Sequence, residues 1–148
     1  SPITLKCEEY MHKVRPVAIE KARATNIGVV GTWNTSQSCG ALGFYAEKIA
    51  NAGMIGLLMV TSPEFVAPHG AKQPILGTNP ITIGWPRGDG NPPIIMDMAT
   101  SELALGKVRE AMARGDSVPD GAIITSSGEA STGGCGWGWA RSPRHTSW

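Results

Sequence analysis

Apolar residues recur at helical spacing between Met11 and Ala24, where Met11, Val14, Ala18 and Ala22 fall on one side and Lys13, Glu20, Lys21 and Arg23 largely on the other. This predicts an amphipathic helix whose regular part is limited by Pro16, because proline lacks an amide hydrogen and fits best in a first turn. Ile27 to Trp33 reads as a glycine-punctuated β run rich in β-branched residues. Leu42, Tyr45, Ala46, Ile49 and Ala50 mark a second helix, with Glu47 and Lys48 polar and Gly53 placed as its C-terminal cap. Met54 to Val60 is a continuous apolar run of strand length, which predicts a buried strand.

Turns punctuate the middle of the chain, at Ser62-Pro63, Pro68-His69-Gly70, Gly77-Thr78-Asn79-Pro80 and Arg87 through Pro93. Two short strands are expected between them, Ile81 to Trp85 and Ile94 to Met98. A third helix follows from Ser101 to Arg114, with Leu105, Val108 and Met112 on one side, Thr100 or Ser101 as N-cap, and Gly115 beyond its end. Helices alternating with strands predict an α/β fold, a layered mixed sheet with helices.

Composition narrows this picture. At 148 residues the chain is sized for one domain. The 41% hydrophobic share, 17% charged share, 19 Gly and 11 Pro describe a loop-rich globular chain and exclude coiled coil and collagen. A net charge of +1 gives no electrostatic basis for binding nucleic acid or an anionic membrane, so any anion site is local. No apolar stretch is long enough to span a bilayer and no basic-then-apolar leader opens the chain, which leads to the expectation of a soluble, cytoplasmic protein. Cys7, Cys39 and Cys135 show no CxxC spacing; they suggest neither a disulfide framework nor a zinc site and are expected to be free thiols, with no metal bound. Trp137, Trp139 and Trp148 crowd a Gly-rich stretch without helical pattern, so residues 131–148 are expected to lie outside the fold and residues 1–130 to form it.

Several segments carry polar chemistry. Residues 34–41, between the Ile27 run and the second helix, concentrate hydroxyl and amide groups where a helix start exposes unpaired N–H groups; they either hold a phosphate or carboxylate, or Ser36 or Ser38 simply caps the helix. Cys39 is readable as a nucleophile or as a small apolar filler. Of His12, His69 and His145, only His69 stands in a turn where its imidazole can face a cleft, although a loop histidine is more often a surface residue than a catalyst. Asp97 ends a strand and runs into a helix start, where a carboxylate either caps backbone amides or binds a ribose hydroxyl. Neither GxGxxG nor GxxxxGK[ST] is present.

Taken in order, Gly40 to Lys48, Ala52 to Gly56, Ser62-Pro63, Val66 to Gly70, Gly77 to Ile81 and Met96 to Ser101 closely resemble the malate/L-lactate dehydrogenase family, the non-Rossmann NAD(P)-dependent oxidoreductases that include ureidoglycolate and sulfolactate dehydrogenases. The similarity runs from about Met11 to Glu129. It implies hydride transfer between NAD or NADP and a 2-hydroxy or 2-oxo acid such as malate or lactate, and a homodimer. By position it also implies cofactor contacts at Ser62, Asp97, Met98 and Ala99, with Thr78 and Asn79 shaping the same cleft. His69 is a secondary candidate for orienting substrate or cofactor.

Two departures from the family pattern stand out. Ser38 occupies the place where many members have a catalytic His, and a hydroxyl can hydrogen-bond a substrate oxygen but is no general base at neutral pH without activation. The chain also resembles a central part of a longer enzyme, so a non-catalytic dinucleotide-binding or dimerisation module is the competing reading. The residues after 130 are expected to be an out-of-frame or truncated end, since Gly, Trp, Arg, Pro and Cys are what shifted GC-rich codons yield. Translating the coding DNA in its other two frames checks this: a family-like continuation is expected in one of them.

Overall fold

In the computed structural model the described residues are 7–33, 39–133 and 139–141, with the backbone alone described for 7–10 and 139–141. The elements follow in the order α1 (Cys7–Thr25), α2 (Leu42–Asn51), β1 (Gly56–Met59), β2 (Val66–Ala67), β3 (Ile81–Trp85), β4 (Ile94–Met98), α3 (Leu105–Arg114), β5 (Ile123–Ile124), β6 (Ala130–Ser131) and β7 (Trp139–Arg141). They divide into two compact units, one from residues 1–58 and 82–97, the other from 59–81 and 98–148.

In the first unit, α1 packs on α2 and the strands form a sheet in the order β1-β3-β4. The apolar stripe that predicts α2 is the face it buries: Leu42, Tyr45, Ala46 and Ala50 are all buried. Gly53 follows the C-cap Ala52 with φ +81°, the left-handed turn that ends a helix. Helix α1 differs from its prediction by continuing through Pro16, which lies inside it. Contacts to α2, among them the edge-on approach of His12 to the Tyr45 ring at 6.3 Å, compensate the backbone bond that proline cannot make. Strand β3 and helix α2 approach closely. A Cβ on Gly84 would stand 2.7 Å from the Ala46 carbonyl oxygen, so only glycine fits there.

The second unit holds a four-stranded sheet in the order β2-β7-β5-β6. Strand β7 runs parallel to β2, with Val66 opposite Ala140, and antiparallel to β5, with Ile124 opposite Trp139. On the other side β5 pairs antiparallel with β6, Ile123 facing Ser131. Val108 of α3 packs with Val118, Ala122 and Ile123, flanked by Leu103 and Ala111, and this cluster is the unit's apolar centre. Helix α3 ends as expected at Gly115, whose φ of +73° is left-handed.

Other expectations change. Ile27 to Trp33 is not a strand, and Ile27, Val29 and Trp33 are 73%, 80% and 81% exposed; β-branched composition favours a strand only where a neighbouring ladder exists to receive it. Strand β1 forms within the apolar run but is not buried, with Leu57 and Met59 exposed. Helix α3 starts at Leu105 with Ala104 as its N-cap, because the Ser101 hydroxyl instead donates to the Leu103 carbonyl oxygen at 2.8 Å, closing a turn ahead of the helix. Trp139–Arg141, in the stretch expected to lie outside the fold, forms the inner strand β7. Cys39 is disulfide-bonded and not a free thiol; pairing follows from spatial approach, which sequence spacing does not reveal.

The close approach at Gly84 is directly testable. Gly84→Ala is expected to lower stability by about 2 kcal/mol, since a backbone oxygen cannot swing aside as a side chain can. Urea unfolding of both forms measures it, and equal midpoints would refute the close approach.

Candidate functional site

Within the second unit the Ser62-Pro63 and Gly77-Thr78-Asn79-Pro80 turns are bound to each other. The Ser62 amide donates to Asn79 Oδ1 at 3.1 Å, and the Asn79 amide donates back to Ser62 Oγ at 3.3 Å. Ser62 Oγ and Thr78 Oγ1 share a further hydrogen bond at 3.1 Å. Asn79 adopts φ +34°, a region that asparagine tolerates better than most residues because its short amide bonds locally. Gly77 is required by crowding: a Cβ there would collide with the Ser62 carbonyl and hydroxyl oxygens and with Asn79 Oδ1. Thr100 joins from beyond β4, its amide and hydroxyl both donating to the Thr78 carbonyl oxygen, at 2.9 and 3.0 Å.

Beside this cluster lies an open cleft of about 400 Å³ lined by Met59, Val60, Thr61, Asn79, Pro80, Ile81 and Thr100. Its lining is largely apolar, with Thr61, Asn79 and Thr100 as the polar residues, a composition suited to a flat ring carrying a few hydrogen-bonding substituents. Of the expected residues, Asn79 lines the cleft. Ser62 and Thr78 stand behind it, and hold Asn79 and Thr100 in place. Thr100 is a cleft residue that sequence reasoning assigned to a helix cap; its signal was a hydroxyl directly after the Asp97-Met98-Ala99 triplet.

The triplet itself divides between the two units, Asp97 in the first and Met98 with Ala99 in the second. Met98 is 59% exposed and Ala99 half-buried, and neither lines the cleft. Asp97 acts within the first unit. Its Oδ2 accepts the Gly43 amide at 2.7 Å and its Oδ1 accepts the Thr82 hydroxyl at 2.6 Å. The N-cap of α2 is Ala41, which has no side-chain oxygen, so Asp97 supplies from another strand the acceptor that the helix start needs. A carboxylate already standing at that helix start opposes a second anion there, which removes the first-turn amide of Gly43 from the expected anion site.

His69 is exposed, in a turn closed by the Ala71 amide on the Pro68 carbonyl oxygen at 2.9 Å, and it does not line the cleft. Ser38 and Ser36, with His145, lie outside the described residues. Among the described residues no cluster of three or more His, Cys, Asp or Glu could hold a metal ion, and no helix is long and apolar enough to cross a membrane.

Compared with known proteins, residues 9–134 match the malate/L-lactate dehydrogenase family. The chain belongs to that family. It is 43% identical over 118 residues to a malate dehydrogenase of Pyrococcus abyssi, covering 80% of this chain and 32% of the relative. It is 38% identical over 121 residues to an L-sulfolactate dehydrogenase of Methanothermobacter thermautotrophicus, covering 82% and 35%. Among solved structures, the delta1-piperideine-2-carboxylate reductase of Pseudomonas syringae pv. tomato superposes with a TM-score of 0.78 at 33% identity, over 89% of this chain and 40% of that one. This family member therefore spans about a third of the length of the curated relatives it matches. The match extends past the expected limit at residue 130 and ends just ahead of the Trp/Gly stretch.

The paired turns give a stability prediction. Asn79→Ala removes the acceptor for the Ser62 amide and leaves an ordinary residue at positive φ, and is expected to cost about 2 kcal/mol. Asn79→Asp keeps the acceptor and is expected to cost less than half of that, read from urea midpoints of the two variants.

Proposed function

We propose that the chain forms part of the cofactor-binding side of an NAD(P)-dependent oxidoreductase acting on a 2-hydroxy or 2-oxo acid, in the manner of the malate and sulfolactate dehydrogenases it is similar to. The observation that carries this reading is the cleft at Asn79 and Thr100, in a chain that belongs to this family. The residues fit a nicotinamide group: an apolar wall of Met59, Val60, Pro80 and Ile81 suits the ring, and the Thr61, Asn79 and Thr100 side chains suit its carboxamide or ribose hydroxyls. When bound, such a cofactor supplies or accepts the hydride.

The chain's own part is to bind and orient. Ser62 and Thr78 keep Asn79 and Thr100 at the cleft through hydrogen bonds among neutral groups, which requires no strong positive field, in keeping with a net charge of +1. Met98 and Ala99 flank the same stretch by sequence. Ser38, at the family's histidine position, is assigned to hydrogen-bond the substrate oxygen, with His69 as a secondary orienting group. The dehydrogenase part includes the matched residues 9–134, and the active species is a homodimer. The substrate is a small 2-hydroxy or 2-oxo acid, of which malate and sulfolactate are the first to assay.

Titration of the chain with NADH and with NADPH, followed by nicotinamide fluorescence, tests the reading, and a saturable change is expected with one of them. Thr100→Val is expected to weaken that binding by about tenfold, the loss of one or two hydrogen bonds. Turnover of malate or sulfolactate then separates an enzyme from a non-catalytic dinucleotide-binding module; no response to either nucleotide sinks the proposal.

A further inference from the structure

Residues 27–33 leave α1 through a tied turn. The Thr25 hydroxyl lies within hydrogen-bond reach of the Lys21 and Ile27 carbonyl oxygens, at 3.1 and 2.9 Å, and Asn26 takes φ +68°. The segment then runs without helix, turn or bend, and none of its residues has positive φ. Gly28 seats it on the helix: a Cβ there would collide with the Ala18 carbonyl oxygen and stand 2.9 Å from the Ala22 amide nitrogen. Gly28 and Val30 are half-buried, whereas Ile27, Val29, Gly31 and Trp33 are exposed, the alternation of a strand with one face covered. Apart from the bond at the Ile27 carbonyl, the backbone of 27–33 makes no hydrogen bond within the chain among the described residues.

A row of unbonded amides and carbonyls in extended backbone is a template for another strand. Natural edges are commonly guarded by a charge or a proline, and the run Ile-Gly-Val-Val-Gly-Thr-Trp carries neither. It is also complementary to its own reverse. Laid antiparallel to a second copy with Val30 opposite Val30, it sets Gly28 against Thr32, Val29 against Gly31 and Ile27 against Trp33. Each glycine then meets a residue that has a side chain, and the large pair is of the aromatic and β-branched kind that stabilises ladders. At a net charge of +1 two copies repel each other little. We infer that residues 27–33 form an edge to which a second copy of this chain adds its own 27–33, antiparallel and about a two-fold axis through Val30. The inference rests on the homodimer of the reading above and names the surface that makes it. A ribbon of this length buries less than the about 800 Å² per partner of a standard interface, so association in the micromolar range is expected.

Sedimentation of the full chain over a concentration series, with amide exchange at residues 28–32 read at both ends of the series, tests it. A dimer that forms with rising concentration is expected, together with protection of 28–32 that appears with the dimer and is lost on dilution. Val29 is 80% exposed, so Val29→Lys leaves the monomer's packing alone, and it is expected to weaken the dimer by about tenfold or more. Val29→Thr, which keeps the β-branched shape, is expected to weaken it less. Ile75→Lys, at an exposed apolar position in the other unit, is expected to leave it within about twofold. A dimer that Val29→Lys does not weaken, or whose residues 28–32 exchange freely, overturns the edge and leaves the homodimer standing. Protection of 28–32 already complete in the monomer overturns it too, since the chain would then cover its own edge. A chain that stays monomeric up to its solubility limit overturns the homodimer along with the edge.

Discussion

Helix α2 begins at Ala41 without a capping side chain, and the group that completes it is a carboxylate 54 residues away in the chain. The bond from the Gly43 amide to Asp97 is charge-assisted and stands at the positive end of the helix dipole, so a contribution of about 1 to 2 kcal/mol is expected from it. Its second oxygen reaches a buried hydroxyl on β3, so one side chain joins α2, β3 and β4. Gly84 lies in the same unit: without a Cβ, β3 comes within contact of the Ala46 backbone of α2.

The second unit solves a similar problem with neutral groups. Two turns that have no regular ladder between them exchange amide and side-chain bonds through Ser62 and Asn79, and Gly77 lets them close. The polar groups that face the cleft are thus held by polar groups that do not. These hydrogen bonds are made within the chain itself, so the arrangement is preorganised.

Much of this was legible in the residues. The stripe Leu42, Tyr45, Ala46, Ala50 specified both the extent of α2 and its buried face, and the short apolar runs at Ile81 and Ile94 are strands with the expected limits. Strands β5, β6 and β7 escaped notice because two or three residues carry no periodicity to read. Ile27 to Trp33 failed for the opposite reason: it has strand composition, but composition does not supply a partner ladder. The site followed the same division. Ser62, Thr78 and Asn79 stand out in the sequence through the family resemblance, and the fold bonds them to one another, while the bonds of Asp97 to Gly43 and Thr82 could not be seen, since both partners are remote in sequence.

Local patterning, then, determined where helices and turns occur, which face of α2 is buried, the family resemblance, and the residues worth watching. Tertiary structure decided which polar atom meets which. It paired Asp97 with Gly43 and Thr82, bound Asn79 to Ser62, brought Thr100 to the cleft, carried α1 through Pro16, and gave Cys39 a disulfide. The physical reason is that periodicity and turn chemistry act over a few neighbouring residues, whereas a buried hydroxyl or an uncapped amide is satisfied by whichever acceptor the fold brings within 3 Å.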